Sequence, residues 1–151
     1  MLLRPSPPVR CAPPPSVSDG NSAALRSLTN ARACAVAATA AAMFRAPEFF
    51  DVGIAESGNH DNRNYEDDWG ERYQGLLVKE GTSDNYAAEA NQTHAKNLQG
   101  KLFLIHGMMD DNVPPYNTQL VADALMKAGK DFDMLMLPHA RHGFGADSPY
   151  I

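Results

Sequence analysis

The run KLFLIHG, residues 101–107, most limits what this chain can become. Leu102 to Ile105 are apolar without alternation, and a glycine ends the run. Such a run fits a strand of a sheet buried on both faces. YNTQLVADALMKAGK follows, with Leu120, Val121, Ala124, Leu125 and Ala128 in one apolar stripe and Gly129 as its stop. DFDMLMLP is then a second buried strand. Strand, helix and strand joined by short turns make a right-handed parallel unit and imply an α/β layered sheet. Upstream, AVAATAAAMFR is a helix of small side chains ended by Pro47, and FFDVGIAES is a short buried strand. The pattern predicts parallel strands near 50–57, 101–107 and 132–138, with helices near 33–45 and 117–129. GNHDNRNYEDDWGERYQGLL reads as an irregular polar excursion, and NYAAEANQTHAKNL as partly helical.

Composition divides the chain. Residues 1–36 hold four arginines, one acid and no lysine, about +3 by count, and six of the first fifteen residues are prolines. The other 115 residues carry −8 and read as an ordinary globular sequence. Residues 1–36 are therefore expected to be a disordered Pro/Ala/Arg-rich extension, with one domain over 37–151. MLLRPSPPV lacks the apolar core of a secretory signal. A net charge of −5 argues against nucleic acid, and no apolar run is long enough to span a membrane. Two cysteines, Cys11 and Cys34, make neither a disulfide framework nor a metal site.

Catalytic groups of such sheets sit beyond the carboxyl ends of the strands. Two loops lie there, HGMMDDNV after the first apolar run and HARHGF after the second. On adjacent strands, Asp110 or Asp111 could meet His142. An Asp followed by a His is the second half of a Ser, Asp, His order. The His takes a proton from a nucleophile and returns it to the leaving group, and the Asp fixes the imidazole tautomer.

The stretch from KLFLIHGMMDDNVPP to LPHARHGFG, with GIAESGNHDNRNYEDDWGERYQGL before it, resembles the catalytic domain of the prolyl oligopeptidase family, on its dipeptidyl peptidase side. HG-x-x-DDNV, HGF and W-x-ERY-x-G occur in the family's order and spacing, over about residues 37–151. The resemblance implies a partial α/β-hydrolase fold and a serine-type peptidase, cutting peptide bonds often after proline or a small residue near the amino terminus. By position, Asp110 matches the triad acid and His142 the base. Asn112 matches a residue that holds a substrate carbonyl. Tyr65 and Trp69 fall at pocket-lining positions, and Glu71 with Arg72 in the ERY motif at an ion pair. Relatives are often secreted or periplasmic, so compartment stays open.

The nucleophile is where this sequence departs. The family's G-x-S-x-G elbow precedes the helix that reads ATAAAMFR here, which puts it at Ala31–Ala35, ARACA. Ala33 holds the serine position and alanines replace both glycines that give the elbow room. Cys34 is one residue out of register, and Ser57 has no elbow around it. The expectation is a fragment without its nucleophile, inactive alone, whose first 36 residues are unrelated or out-of-frame sequence. The alternatives are a non-catalytic chain acting by binding, through a homo-oligomer or an exposed sheet edge, and another α/β-hydrolase such as an esterase. The ERY segment and the DDNV loop count against the last.

The remaining polar residues have plainer readings. His139 and His142 form H-x-x-H without a third ligand, so no metal or cofactor is expected. His60, Asp61, Glu66, Asp67 and Asp68 fit no calcium-loop spacing and read as a solvated acidic loop. Asp111 reads as a turn residue and His106 as structural.

Overall fold

The structure is a computed structural model and describes residues 35–143. Helix α1 spans Ala35–Arg45, so Ala35 and Val36, the last two residues of the 1–36 segment, are helical. The rest of the 1–36 segment, including Ala33 and Cys34, lies outside the described residues, as does the chain after Gly143. Strand β1 is Val52–Glu56, and helix α2 is Asp67–Gln74. A two-stranded antiparallel hairpin pairs β2, Lys79–Glu80, with β3, Ser83–Asp84. Helix α3 is Asn91–His94, β4 is Lys101–Gly107, α4 is Tyr116–Lys127 and β5 is Asp133–Leu137.

The main sheet is parallel, in the order β1-β4-β5. One face is packed. Met43 and Phe44 of α1, Leu102 and Leu104 of β4, and Val121 and Leu125 of α4 are all at most 1% exposed and form its core. Full burial of a side chain of this size contributes about 1.5–3 kcal/mol. Gly53 lets α1 come close, because a Cβ there would lie 2.9 Å from Thr39 Cγ2 and nearer still to Met43 Sδ. Helix α4 ends in a Schellman motif around Gly129, whose φ is 64°. The N–H of Lys130 bonds the Leu125 carbonyl and that of Gly129 the Met126 carbonyl, each at 3.0 Å.

The other face changes three expectations. Strand β5 is not a buried strand: Met134 and Leu135 are each 45% exposed. Strand β1 is half-buried, with Val52 and Ile54 out and Gly53 and Ala55 in. In β4, Phe103 and Ile105 are only part-covered. The reason is shared: α1 and α4 pack on one side, and among the described residues no element closes over the other. The polar excursion is not irregular throughout, since it contains α2 and a 3-10 turn at Asn62–Asn64. Trp69 and Tyr73, one helical turn apart, form the ring contact of that helix, with centroids 4.7 Å apart. No helix among the described residues is long and apolar enough to cross a membrane.

Candidate active site

Residues 108–113 leave the carboxyl end of β4 as a turn closed by its own carboxylate. Asp110 Oδ1 accepts the backbone N–H of Asn112 at 3.0 Å and of Val113 at 2.8 Å. The short Asp side chain thus replaces a backbone acceptor, as in other Asx turns. The side chain is fully buried. Its second oxygen points the other way. Oδ2 lies 2.9 Å from His142 Nδ1 and 3.1 Å from His106 Nε2.

His142 arrives on the loop after β5. Strand pairing sets Gly107 beside Leu137. Beyond it, Met108 N–H bonds the Leu137 carbonyl at 2.8 Å and Met109 N–H the Ala140 carbonyl at 3.0 Å. The two loops are thus tied by backbone before their side chains meet. Gly107 permits that approach. A Cβ on it would sit 2.5 Å from the Arg141 carbonyl oxygen and closer still to that of Ala140. An ion pair of Arg141 with Asp111 also joins the loops. Both side chains are more than half exposed, so it adds at most about 1 kcal/mol.

A carboxylate only accepts, so the His142 nitrogen facing Asp110 carries a proton. That leaves Nε2 as the nitrogen available for proton transfer. The His142 side chain is 40% exposed, whereas the Asp110 side chain is 0% exposed. A buried acid behind an open imidazole is the arrangement that acid–base work needs.

Tyr65 and Asn112 also meet. The Tyr65 hydroxyl donates to Asn112 Oδ1 at 2.7 Å. Burial first, then the carboxylates of Glu66, Asp110 and Asp68, push the Tyr65 phenol above its ordinary pKa, so it stays a donor. With Oδ1 engaged, Asn112 presents its amide N–H groups. Trp69 stacks edge-on with Tyr65, centroids 6.1 Å apart. No ion pair joins Glu71 to Arg72. They are consecutive on α2 and diverge, and Arg72 instead lies 5.9 Å over the Tyr73 ring.

The acidic cluster is a solvated loop only in part. His60 and Asp61 are 3% and 2% exposed. Burial disfavours the Asp61 carboxylate, but Arg63 and Gln92 outweigh it and hold its pKa below the usual range. Asp61 takes Arg63 Nη2 at 2.7 Å, and its N–H donates to Asn117 Oδ1 at 2.9 Å. Asn117 in turn donates to the Asn64 carbonyl, one residue before Tyr65. This lattice fixes the segment that carries Tyr65 against α4. Glu66, Asp67 and Asp68 are exposed, as expected.

Sequence reading assigned no site role to His106, Gly107, Asn117 or Thr118. The four-residue spacing of His106 and Asp110 was the one visible hint.

A profile of the prolyl oligopeptidase family matches residues 37–149. The chain belongs to that family. It is 31% identical over 102 residues to Dipeptidyl peptidase 4 of Bos taurus, and 29% identical over 107 residues to Dipeptidyl peptidase family member 1 of Caenorhabditis elegans. Those matches cover 67% and 70% of this chain. The chain spans 13% of the length of each relative. The crystal structure of Porphyromonas gingivalis dipeptidyl peptidase 4 superposes with a TM-score of 0.68 at 29% identity, over 85% of this chain and 20% of that one. The fold is accordingly a partial α/β arrangement of a serine-peptidase family, with a small parallel sheet and flanking helices.

Proposed function

We propose that residues 37–151 carry the acid–base half of a serine-peptidase site, and that this chain by itself does not hydrolyse peptide bonds. The observation that supports this most directly is the 2.9 Å bond between His142 and Asp110 at the carboxyl ends of adjacent strands. In this reading His142 Nε2 takes the proton of an attacking hydroxyl and passes it to the leaving amine. Asp110 holds the tautomer and stabilises the imidazolium. Asn112 clamps a backbone carbonyl of a peptide substrate through its amide N–H. Tyr65 and Trp69 wall the pocket for the side chain before the scissile bond, a proline or a small residue.

The nucleophile is the missing part. Ala33 stands at its position and the flanking residues, Ala31 and Ala35, are not glycines. Loss of a triad serine lowers kcat about a million-fold. Residues 1–36 are then sequence foreign to the family, a reading supported by a family match that begins at residue 37. In-frame counterparts of residues 1–36 in intact relatives would sink that part. The test of the whole is a fluorophosphonate probe with the 151-residue chain. No labelling is expected, and stoichiometric labelling at any serine overturns the inactive assignment.

A binding role is the second reading. Among the described residues β1 is a sheet edge, and its own Val52 and Ile54 are exposed. Such an edge can pair with another strand. Light scattering across a concentration series separates the two: self-association favours binding, and a monomer throughout removes it.

A further inference from the structure

We propose that His106 is a positioning residue for Asp110: a neutral imidazole that donates Nε2–H to the same carboxylate oxygen that receives His142. This rests on the peptidase reading of the Asp110–His142 pair.

The tautomer follows from its surroundings. His106 is 0% exposed, and alternation along β4 turns it to the same face as Leu102 and Leu104. Nε2 lies 3.1 Å from Asp110 Oδ2 and 3.0 Å from the Val113 carbonyl oxygen. Both are acceptors, so Nε2 carries the proton. Nδ1 lies 2.7 Å from Thr118 Oγ1, a hydroxyl on α4 that can rotate to donate. One hydroxyl therefore sets one ring nitrogen, and the other is left to hold the acid. Burial lowers the His106 pKa, and nearby His142 lowers it further, against the raising effects of Val113 and Asp110. The ring stays neutral at ordinary pH. The titratable groups around it are Asp110, His142 and His60.

The consequence is a carboxylate that cannot turn. Asp110 receives four donors: two backbone N–H groups on Oδ1 and two imidazoles on Oδ2. Without His106, the Oδ2 side is held by the half-exposed His142 alone. With it, the oxygen stays aimed at His142 whether or not His142 carries an extra proton. That is what a triad acid needs during a proton transfer.

The test is nitrogen-15 NMR of the histidine rings in the full 151-residue chain. His106 should show a protonated Nε2 and an unprotonated Nδ1, unchanged from about pH 6 to pH 8, with His142 showing its Nδ1–H proton. A His106 ring protonated at Nδ1, or at both nitrogens at pH 7, overturns the proposal. His106→Gln keeps a donor near the place of Nε2 and should retain the His142 Nδ1–H resonance. His106→Leu should move or abolish that resonance while the amide spectrum stays dispersed. A His142 resonance unmoved in His106→Leu also overturns it. If His106→Leu does not fold, the wild-type tautomer still decides. Failure of the peptidase reading looks different: His142 would show no Nδ1–H proton although His106 held Asp110 as stated.

Discussion

Replacing Gly107 by alanine should uncouple the two site loops, and the structure sets the size of the effect. Gly107 is the last residue of β4 and pairs with Leu137. Its hydrogen faces the backbone of the His142 loop. A Cβ would stand 2.5 Å from the Arg141 carbonyl oxygen and nearer to that of Ala140. Neither is a side-chain end that can swing away. Both oxygens must retreat by about 1 Å to reach ordinary van der Waals separation. Ala140 O also accepts from Met109 N–H at 3.0 Å, so the retreat breaks that bond. The same displacement carried one or two residues along stretches the 2.9 Å His142–Asp110 contact past 3.5 Å, where it ceases to be a hydrogen bond. Overpacking of this kind costs about 1–3 kcal/mol. Urea unfolding of wild type and Gly107→Ala measures the cost, and the His142 Nδ1–H resonance reports the pair. The steric account predicts a loss in that range together with disappearance of the resonance. A variant within about 0.5 kcal/mol of wild type, with the resonance intact, would refute it.

Other substitutions probe the packing behind the site. Thr118→Val keeps the shape but leaves buried His106 Nδ1 without its 2.7 Å partner, so it should cost about 1–3 kcal/mol in urea unfolding. Leu125→Ala, at a position with no exposed surface in the α4 face of the core, should cost about 2–5 kcal/mol by the same measurement. Acid sensitivity should trace to His60. Burial, then the nearby His106, lowers its folded pKa from 6.5 to about 3, and Asn91 donates to its Nδ1 at 2.9 Å. Below pH 6.5 the unfolded chain holds a proton that the folded one refuses. The contribution is therefore complete above 6.5 and falls by roughly 1.4 kcal/mol per pH unit down to 3. Denaturation curves from about pH 7 to pH 4.5 should show a shallower fall for His60→Gln than for wild type, and equal slopes would count against it. Asp61 acts in the same sense lower down: its depressed pKa stabilises the fold above the usual carboxylate range, and that contribution is lost as pH falls through the folded value.

The strands and the long helix were legible because their cause is local. The apolar run at 102–105 and the stripe on α4 fix element type and limits to within a residue or two. Whether those strands are covered is not local. DMLML is apolar whether or not a layer closes over it, and here Met134 and Leu135 remain half open. Polarity misled for the same reason at Asp61. HDNRN looks like a surface loop, but its acid is neutralised by Arg63 two residues on and accepts from the Gln92 amide thirty-one away, while the Asp61 backbone N–H donates to Asn117 fifty-six away. No window of sequence contains that closure.

HGMMDDNV shows where the limit lies. The stretch can be read as a turn or as chemistry, and the two readings compete only while Asp110 is treated as a single group. Its two oxygens divide the tasks: Oδ1 closes the turn on Asn112 and Val113, and Oδ2 meets the imidazoles. The turn itself is what points Oδ2 away from the backbone and towards His142. A substitution that keeps the Asx turn, Asp110→Asn, would then preserve the loop and lose the acid. Its Oδ1 could still accept both N–H groups, but an amide N–H₂ in place of Oδ2 would face the donor nitrogens of His106 and His142. Both rings would have to turn, change tautomer or break contact. The expected result is a loop with unchanged amide shifts at Asn112 and Val113, a lost His142 Nδ1–H resonance, and destabilisation of about 1–3 kcal/mol from the clashing donors. Unchanged ring resonances would mean that Asp110 does turn work alone.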